Sequence, residues 1–476
     1  MNNSLVNSLV WKLLERFGVQ GISFIIQIIL ARILSPDDYG VLSVMIIFTT
    51  LANVFIQTGF NTALIQNKDV TEEDYSSVFW ISIIMAFLIY VLLFVIAPII
   101  ADFYDMPTIV KPFRVLSLVL FPGSLNSIQL AKVSKELDFK QVFRSNIGAI
   151  LVSGLLGIIL AYLGWGVWAL VLQYLSNVII ACIVMHFTVG WTPKLAYNFK
   201  RVKSLLSFGW KILISSLIDA LYQDLSSLVI GKKYSSSMLG FYNRGKQFPQ
   251  FFIGAINGAV QSVMLPAMAR KQDDRRHVKT LMRKSIMLSS FIIFPIMAGL
   301  AGIADSLVAL LLTEKWLISV PFLQIFCFSL AFYPVHSCNL QAINAMGRSD
   351  IFLKLEIIKK VLGIILLMIS ILFFSSPIAI AFTGVITSVI GCFINAYPNK
   401  ILIDYSYYEQ FKDIIPSLGL SLIMFFCILP LKLLNLPIAI IVLSQIAAGI
   451  LVYFILSILF RVRAFKIIKI FVKNVL

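Results

Sequence analysis

Residues 31–40 read ARILSPDDYG and residues 231–240 read GKKYSSSMLG. A shift of 200 lays Arg32 on Lys232, Ser35 on Ser235 and Gly40 on Gly240, and a shift of 199 lays Trp11 and Lys12 on Trp210 and Lys211. Further along, a shift of 212 pairs Pro122 with Pro334, Gln129 with Gln341 and Asp138 with Asp350. Self-similarity at a near-constant separation marks a duplicated architecture, so the chain reads as two copies of one unit.

Composition says what the unit is made of. Of 476 residues 59% are apolar and 13% charged, against roughly 45–50% and about 25% in a soluble domain. That apolar content suffices for about fourteen spans of about 20 residues each, the first near 11–34 and the last near 437–460. The expected fold is therefore an all-α integral membrane protein with about 14 transmembrane helices. Spans one to six match spans seven to twelve, and an even number puts both copies in the same orientation, related by an axis along the membrane normal. The expected organisation is a six-helix lobe over 1–190, an amphipathic cytoplasmic linker over 191–207, a second six-helix lobe over 208–400, and two extra helices with a basic tail over 401–476. A parallel pair of this kind suits a transporter whose lobes rock about a central cleft.

The net charge of +17 comes from 39 Lys and Arg against 22 Asp and Glu. With alternate loops on opposite sides, 30 of the 39 cations fall on the side that holds both termini. The positive-inside rule makes that side cytoplasmic, and the basic runs 194–211 and 270–284 are expected to rest on anionic lipid headgroups. No basic segment is long enough to fold alone, so no nucleic-acid partner is expected. The three histidines, His186, His277 and His336, match no metal-ligand spacing, and the five cysteines all sit in or beside apolar runs. Neither a metal nor a cofactor is implied. Loops of about 2 to 20 residues leave no room for a catalytic domain, so an enzyme such as a membrane polysaccharide polymerase is the weaker alternative.

Polar residues inside the spans recur at equivalent places. In the first span Lys12, Arg16, Gln20, Ser23 and Gln27 share one helical face, and in the seventh Lys211, Ser215, Asp219, Tyr222 and Ser226 repeat it. In the second and eighth spans Thr50, Gln57 and Asn61 correspond to Gln250, Asn257 and Gln261. A charged group facing lipid at a helix centre costs on the order of 2.5–3.5 kcal/mol, so the stripes face protein or water. Interhelical hydrogen bonding would satisfy them; recurrence in both halves favours a hydrated cleft instead. Arg244 and Lys246 align with Val44 and Ile46 of the first copy, and cations at that depth suit an anionic ligand such as a phosphate or uronic acid. Asp219 lies on the seventh-span stripe and Asp224 is about 140° away around the helix. A hydrogen-bonded structural role and the coupling of Na⁺ or H⁺ both remain open for them.

Three segments carry a resemblance to a known family: ARILSPDDYG at 31–40, GKKYSSSMLGFYNRGKQFPQ at 231–250 and AINAMGRSDIFLKLEIIKK at 342–360. With them the chain resembles the polysaccharide transporter family, which includes Wzx-type O-antigen and teichuronic acid flippases within the multidrug/oligosaccharidyl-lipid/polysaccharide exporter superfamily. The resemblance implies a protein of the bacterial plasma membrane that moves undecaprenyl-diphosphate-linked oligosaccharide from the inner to the outer leaflet, with a polysaccharide polymerase as a partner. It implies a cationic cavity, onto which Arg16, Lys211, Arg244 and Lys246 are carried. A multidrug or cation antiporter of the same superfamily is the alternative, and it would call for an acidic cavity.

Overall fold

The computed structural model describes residue 11 and residues 18–66, 69–136, 138–195, 198–270 and 272–475. Among them, secondary structure is helical throughout, as it must be where no water competes for backbone groups: in hydrocarbon an isolated helix pairs its own amides, whereas an open sheet edge cannot. The chain divides after Gly240 into two compact units.

The first unit contains α1 (Gln20–Ile33), α2 (Pro36–Gln66), α3 (Glu72–Phe103), α4 (Val110–Leu116), α5 (Leu120–Glu136), α6 (Phe139–Tyr162), α7 (Val167–Val189), α8 (Phe199–Lys233) and the first turn of α9 (Ser236–Ala269). The motif at 31–40 is a helix start. Ser35 and Asp38 exchange bonds, with the Ser35 amide donating to the Asp38 carboxylate at 3.0 Å and the Asp38 amide donating to Ser35 Oγ at 3.2 Å. That is a capping box, and Pro36 occupies the first helical position, where its missing N–H costs nothing. In the second copy Ser235 Oγ accepts from the Met238 amide at 3.1 Å, so the serine half of the cap persists where the acid is lost.

These two helix starts meet reciprocally. A Cβ on Gly40 would overlap the carbonyl of Ser236, and one on Gly240 would overlap the carbonyl of Pro36. Pro36 and Ser236 are themselves equivalents at the shift of 200, so each glycine admits the partner copy's backbone. Elsewhere in this unit small residues set close helix approach: Ile26 of α1 fills the space over Gly154 of α6, and Gln173 of α7 covers Gly157.

The stretch that follows α7 is strapped to the start of α3. Trp191 is buried against Tyr75 and Phe79 and its indole N–H donates to Glu72 at 2.9 Å. The Trp80 indole donates to the Lys194 carbonyl, while Ser76 and Ser77 accept from the amides of Lys194 and Asn198. Because α8 follows directly, the first unit extends to Gly240, whereas the sequence pattern puts the lobe boundary within 191–207.

The second unit holds the rest of α9, then α10 (Arg275–Gly302), α11 (Ala304–Leu312), α12 (Val320–Ala331), α13 (Tyr333–Ala345), α14 (Ser349–Phe373), α15 (Pro377–Leu402), α16 (Tyr407–Ile428), α17 (Ile438–Leu459) and α18 (Arg463–Val475). Its centre is α10 against α16. There Arg283 grips Asp413 with two bonds of 2.8 and 2.9 Å, the Tyr405 hydroxyl donates to the same carboxylate at 2.7 Å, and Lys279 pairs with Glu409 at 3.0 Å. The third motif, 342–360, turns at Gly347, whose φ of +71° is a left-handed conformation. Arg348 then forks onto Asp350 and holds that exposed carboxyl down at about 2.

Among the described residues 11 helices are long and apolar enough to cross a membrane. The other three expected spans coincide with Gln20–Ile33, which is shorter, with Ser236–Ala269, which carries Arg244 and Lys246, and with Ser349–Phe373, which carries five charged residues. The outer surfaces of the helices are apolar, with Val95, Leu372 and Ile450 all about two-thirds exposed, the inverse of a water-soluble surface.

Candidate functional site

The expected site residues lie on α1, α2, α8 and α9, and the structure treats them differently. On α1, Gln20 is exposed and Gln27 half-buried; Arg16 lies outside the described residues. On α2, Gln57 donates to Asn53 at 3.0 Å and to the Gly123 carbonyl at 3.4 Å, and Asn61 donates to Ser127 Oγ at 3.2 Å. This stripe ties α2 to α5, so for Gln57 and Asn61 hydrogen bonding between helices accounts for much of the polarity. The Asn61 Oδ1 is nevertheless buried without a partner.

Helix α8 behaves otherwise. Little of the apolar stretch in Gly209–Lys233 is buried. Lys211 and Ser215 are exposed, and Asp219, Tyr222 and Asp224 are half-buried. An exposed cation on a helix of this hydropathy must reach water or a headgroup.

On α9, Gln250 is exposed and Lys246 half-buried, and Asn257 is buried with its Oδ1 lacking a partner. Gln261 lies outside the described side chains. Arg244 has partners that the repeat alignment does not foresee: it is buried, its guanidinium lies 5.4 Å from the Trp316 ring centroid, and it donates to Gln247. Alignment to Val44 marks the depth of a cation but says nothing about a tryptophan arriving from a short helix near residue 316.

Two features of the second unit escape the sequence pattern. One is a buried amide cluster in which Asn399 donates to Asn339 Oδ1 at 2.8 Å and Asn339 donates to Gln410 at 3.1 Å, continued by Asn395 beside His336 at 3.1 Å. The other is an apolar groove of about 440 Å³ among α10, α16, α17 and α18, lined by Pro295, Gly299, Met424, Gly449, Ile450 and Phe454 among others. Its signal in the sequence is weak: two glycines, Gly299 and Gly449, whose relation only the fold reveals.

Comparison with known proteins gives a consistent picture. A family described as "Polysaccharide biosynthesis protein" matches residues 29–321. The teichuronic acid biosynthesis protein TuaB of Bacillus subtilis is 26% identical over 308 residues, 64% of this chain and 63% of TuaB. The lipopolysaccharide biosynthesis protein WzxC of Escherichia coli is 23% identical over 76% of this chain and 74% of its own. Among solved structures, the lipid II flippase MurJ in an inward closed conformation superposes with a TM-score of 0.76 at 18% identity, covering 95% of this chain and 99% of MurJ. An inward-facing multidrug transporter of the MATE family gives 0.63 at 15% identity, over 83% and 99%. At such identities the likeness is one of fold.

Proposed function

This chain belongs to the polysaccharide biosynthesis protein family, and from that membership we propose that it is a flippase. It carries polyprenyl-diphosphate-linked oligosaccharide from the cytoplasmic to the outer leaflet of the bacterial plasma membrane by alternating access. Both termini are cytoplasmic, the spans number fourteen, and no covalent bond is made or broken. The glycan and diphosphate are too polar to cross about 30 Å of hydrocarbon unaided. They enter a hydrated passage along the polar face of α8, with Lys211 and Tyr222, and along Gln20 and Gln27 of α1. In the second unit Lys246 and Gln250 are the candidates for substrate contact, and Arg244 contributes only if its contact with Trp316 opens. Asp219 and Asp224 are the candidates for coupling to Na⁺ or H⁺, and each charge entering down the potential supplies about 2.3 kcal/mol per 100 mV.

The observation that carries this reading is the apolar groove in the second unit. A substrate with a polar head and a long hydrocarbon tail needs both a wet path and a dry one, and a groove walled by Ile450 and Phe454 is the dry one. Alanine at Gly449 would meet Ile428 and Met424 at 3.6 Å, ordinary contact. Gly449→Ala is therefore expected to leave export unchanged. Gly449→Trp fills the groove, and since each CH₂ withheld from burial costs about 0.8 kcal/mol, excluding two lowers tail occupancy about tenfold. Surface polysaccharide should fall accordingly at normal membrane expression. Undiminished export in the tryptophan variant would remove the groove from the path.

A further inference from the structure

A second cavity of the same unit, about 540 Å³, opens where α16 begins and α17 turns into α18. Its rim carries Lys412, Arg461 and Arg463, and its walls are apolar, with Ile415 and Phe460 more than half exposed. The one carboxylate in the lining, Asp413, is engaged elsewhere by Arg283 and Tyr405. Among the described residues none of the three rim cations makes an ion pair, so the cavity presents three positive charges over hydrocarbon-like walls.

The turn that bears two of them is built with an unusual residue. The amides of Arg461 and Val462 return to the carbonyls of Ile458 and Ser457 at 3.1 and 3.2 Å, the pattern that closes a helix through a left-handed residue. That residue is Arg461, with φ of +47°, at a position glycine fits without strain. Val462 and Ala464 are buried on either side of Arg463, so alternation turns both arginines away from the packed face. Phe465 then packs edge-on against Phe454 and tilted against Phe291 and fixes the start of α18. The basic pattern of that helix, with Lys466, Lys469 and Lys473, is that of a helix lying at a membrane surface.

We propose that this cavity binds the phosphate headgroup of an anionic glycerophospholipid, with Lys412, Arg461 and Arg463 around the phosphate and the acyl chains along Ile415 and Phe460. Arginine suits the task because its planar fork matches phosphate oxygens. A soluble anion would gain nothing from the exposed apolar walls, which favours a lipid as the occupant. The assignment is independent of what the protein transports.

The test uses the purified full-length protein in mixed lipid and detergent, with retained lipid counted by native mass spectrometry. The wild type is expected to retain phosphatidylglycerol over phosphatidylcholine. Arg461→Gly suits the left-handed turn, so it should melt no lower than wild type, yet retain phosphatidylglycerol about fivefold less, the usual effect of one cation near an anionic surface. Adding Lys412→Gln and Arg463→Gln should bring the loss to about a hundredfold. Equal retention of the two lipids by the wild type would overturn the proposal, and so would unchanged retention in the triple variant. Displacement by inorganic phosphate would overturn it in favour of a free-anion site. Displacement by undecaprenyl phosphate at concentrations where a second glycerophospholipid fails would overturn it in favour of the transported lipid.

Discussion

Replacing Gly40 by leucine is expected to remove most correctly folded protein from the membrane, and replacing Gly240 likewise. Each glycine lies where a Cβ would run into a backbone carbonyl of the opposite helix start, Ser236 for Gly40 and Pro36 for Gly240. A flexible side chain could swing aside; a carbonyl inside a capped first turn cannot. Both helix starts are held, one by Ser35 and Asp38 and the other by Ser235. Relief therefore requires separating the helices, and the expected destabilisation is at the exceptional end of single substitutions, about 4 kcal/mol or more. Alanine alone should have a large part of this effect. Gly148, inside α6, has open space where a Cβ would stand, with nothing within 4 Å, so Gly148→Ala is the control and should gain about 0.5–1 kcal/mol. Size-exclusion profiles of detergent-extracted protein, with thermal melting, separate the outcomes. A Gly40→Leu protein that elutes and melts like wild type would mean the helix starts do not touch.

The second large effect is expected at Asp413. Its side chain is 2% exposed while that of Arg283 is 28% exposed, and the carboxylate accepts from both Arg283 and Tyr405. Removing one partner of a buried pair costs about 3–5 kcal/mol because the other is left uncompensated. Arg283 keeps some water and has Glu409 at 3.7 Å, so Asp413→Ala should fall near the lower end, about 3 kcal/mol. The Tyr405 hydroxyl loses its acceptor in a fully buried setting, which adds to the effect. Replacing Arg283 and Asp413 together by a well-packed apolar pair should recover much of the loss, since such pairs are often neutral or stabilising when exchanged as a unit. A melting temperature for Asp413→Ala within error of wild type would show that the pair is not formed.

The helical class was legible because it rests on local features. Apolar runs of spanning length leave few folds open, whereas the capping roles of Ser35 and Ser235 emerge only with the helix starts they hold. Partner choice was not legible. Gln57 and Asn61 share a helical face, which periodicity reports, but that their partners are Gly123 and Ser127 of α5 depends on how the unit packs. Arg244 shows the same limit: depth came from alignment, whereas its cover, Trp316, comes from a segment more than seventy residues on. The strap through Trp191, Lys194 and Asn198 was hidden because its hydrogen bonds join residues more than a hundred positions apart. Arg461 was invisible for a different reason, since an arginine in a left-handed turn carries no signature without the backbone angles.

Transbilayer movement of a lipid-linked glycan is the property on which the proposed function stands. The direct measurement places a fluorescent polyprenyl-diphosphate oligosaccharide in both leaflets of sealed vesicles and adds an impermeant quencher outside. With the purified protein reconstituted, the protected inner-leaflet signal should decay in proportion to protein content, and more slowly once ion gradients are collapsed. A protected fraction as stable as in protein-free vesicles, with the reconstituted protein still folded by its melting profile, would contradict it.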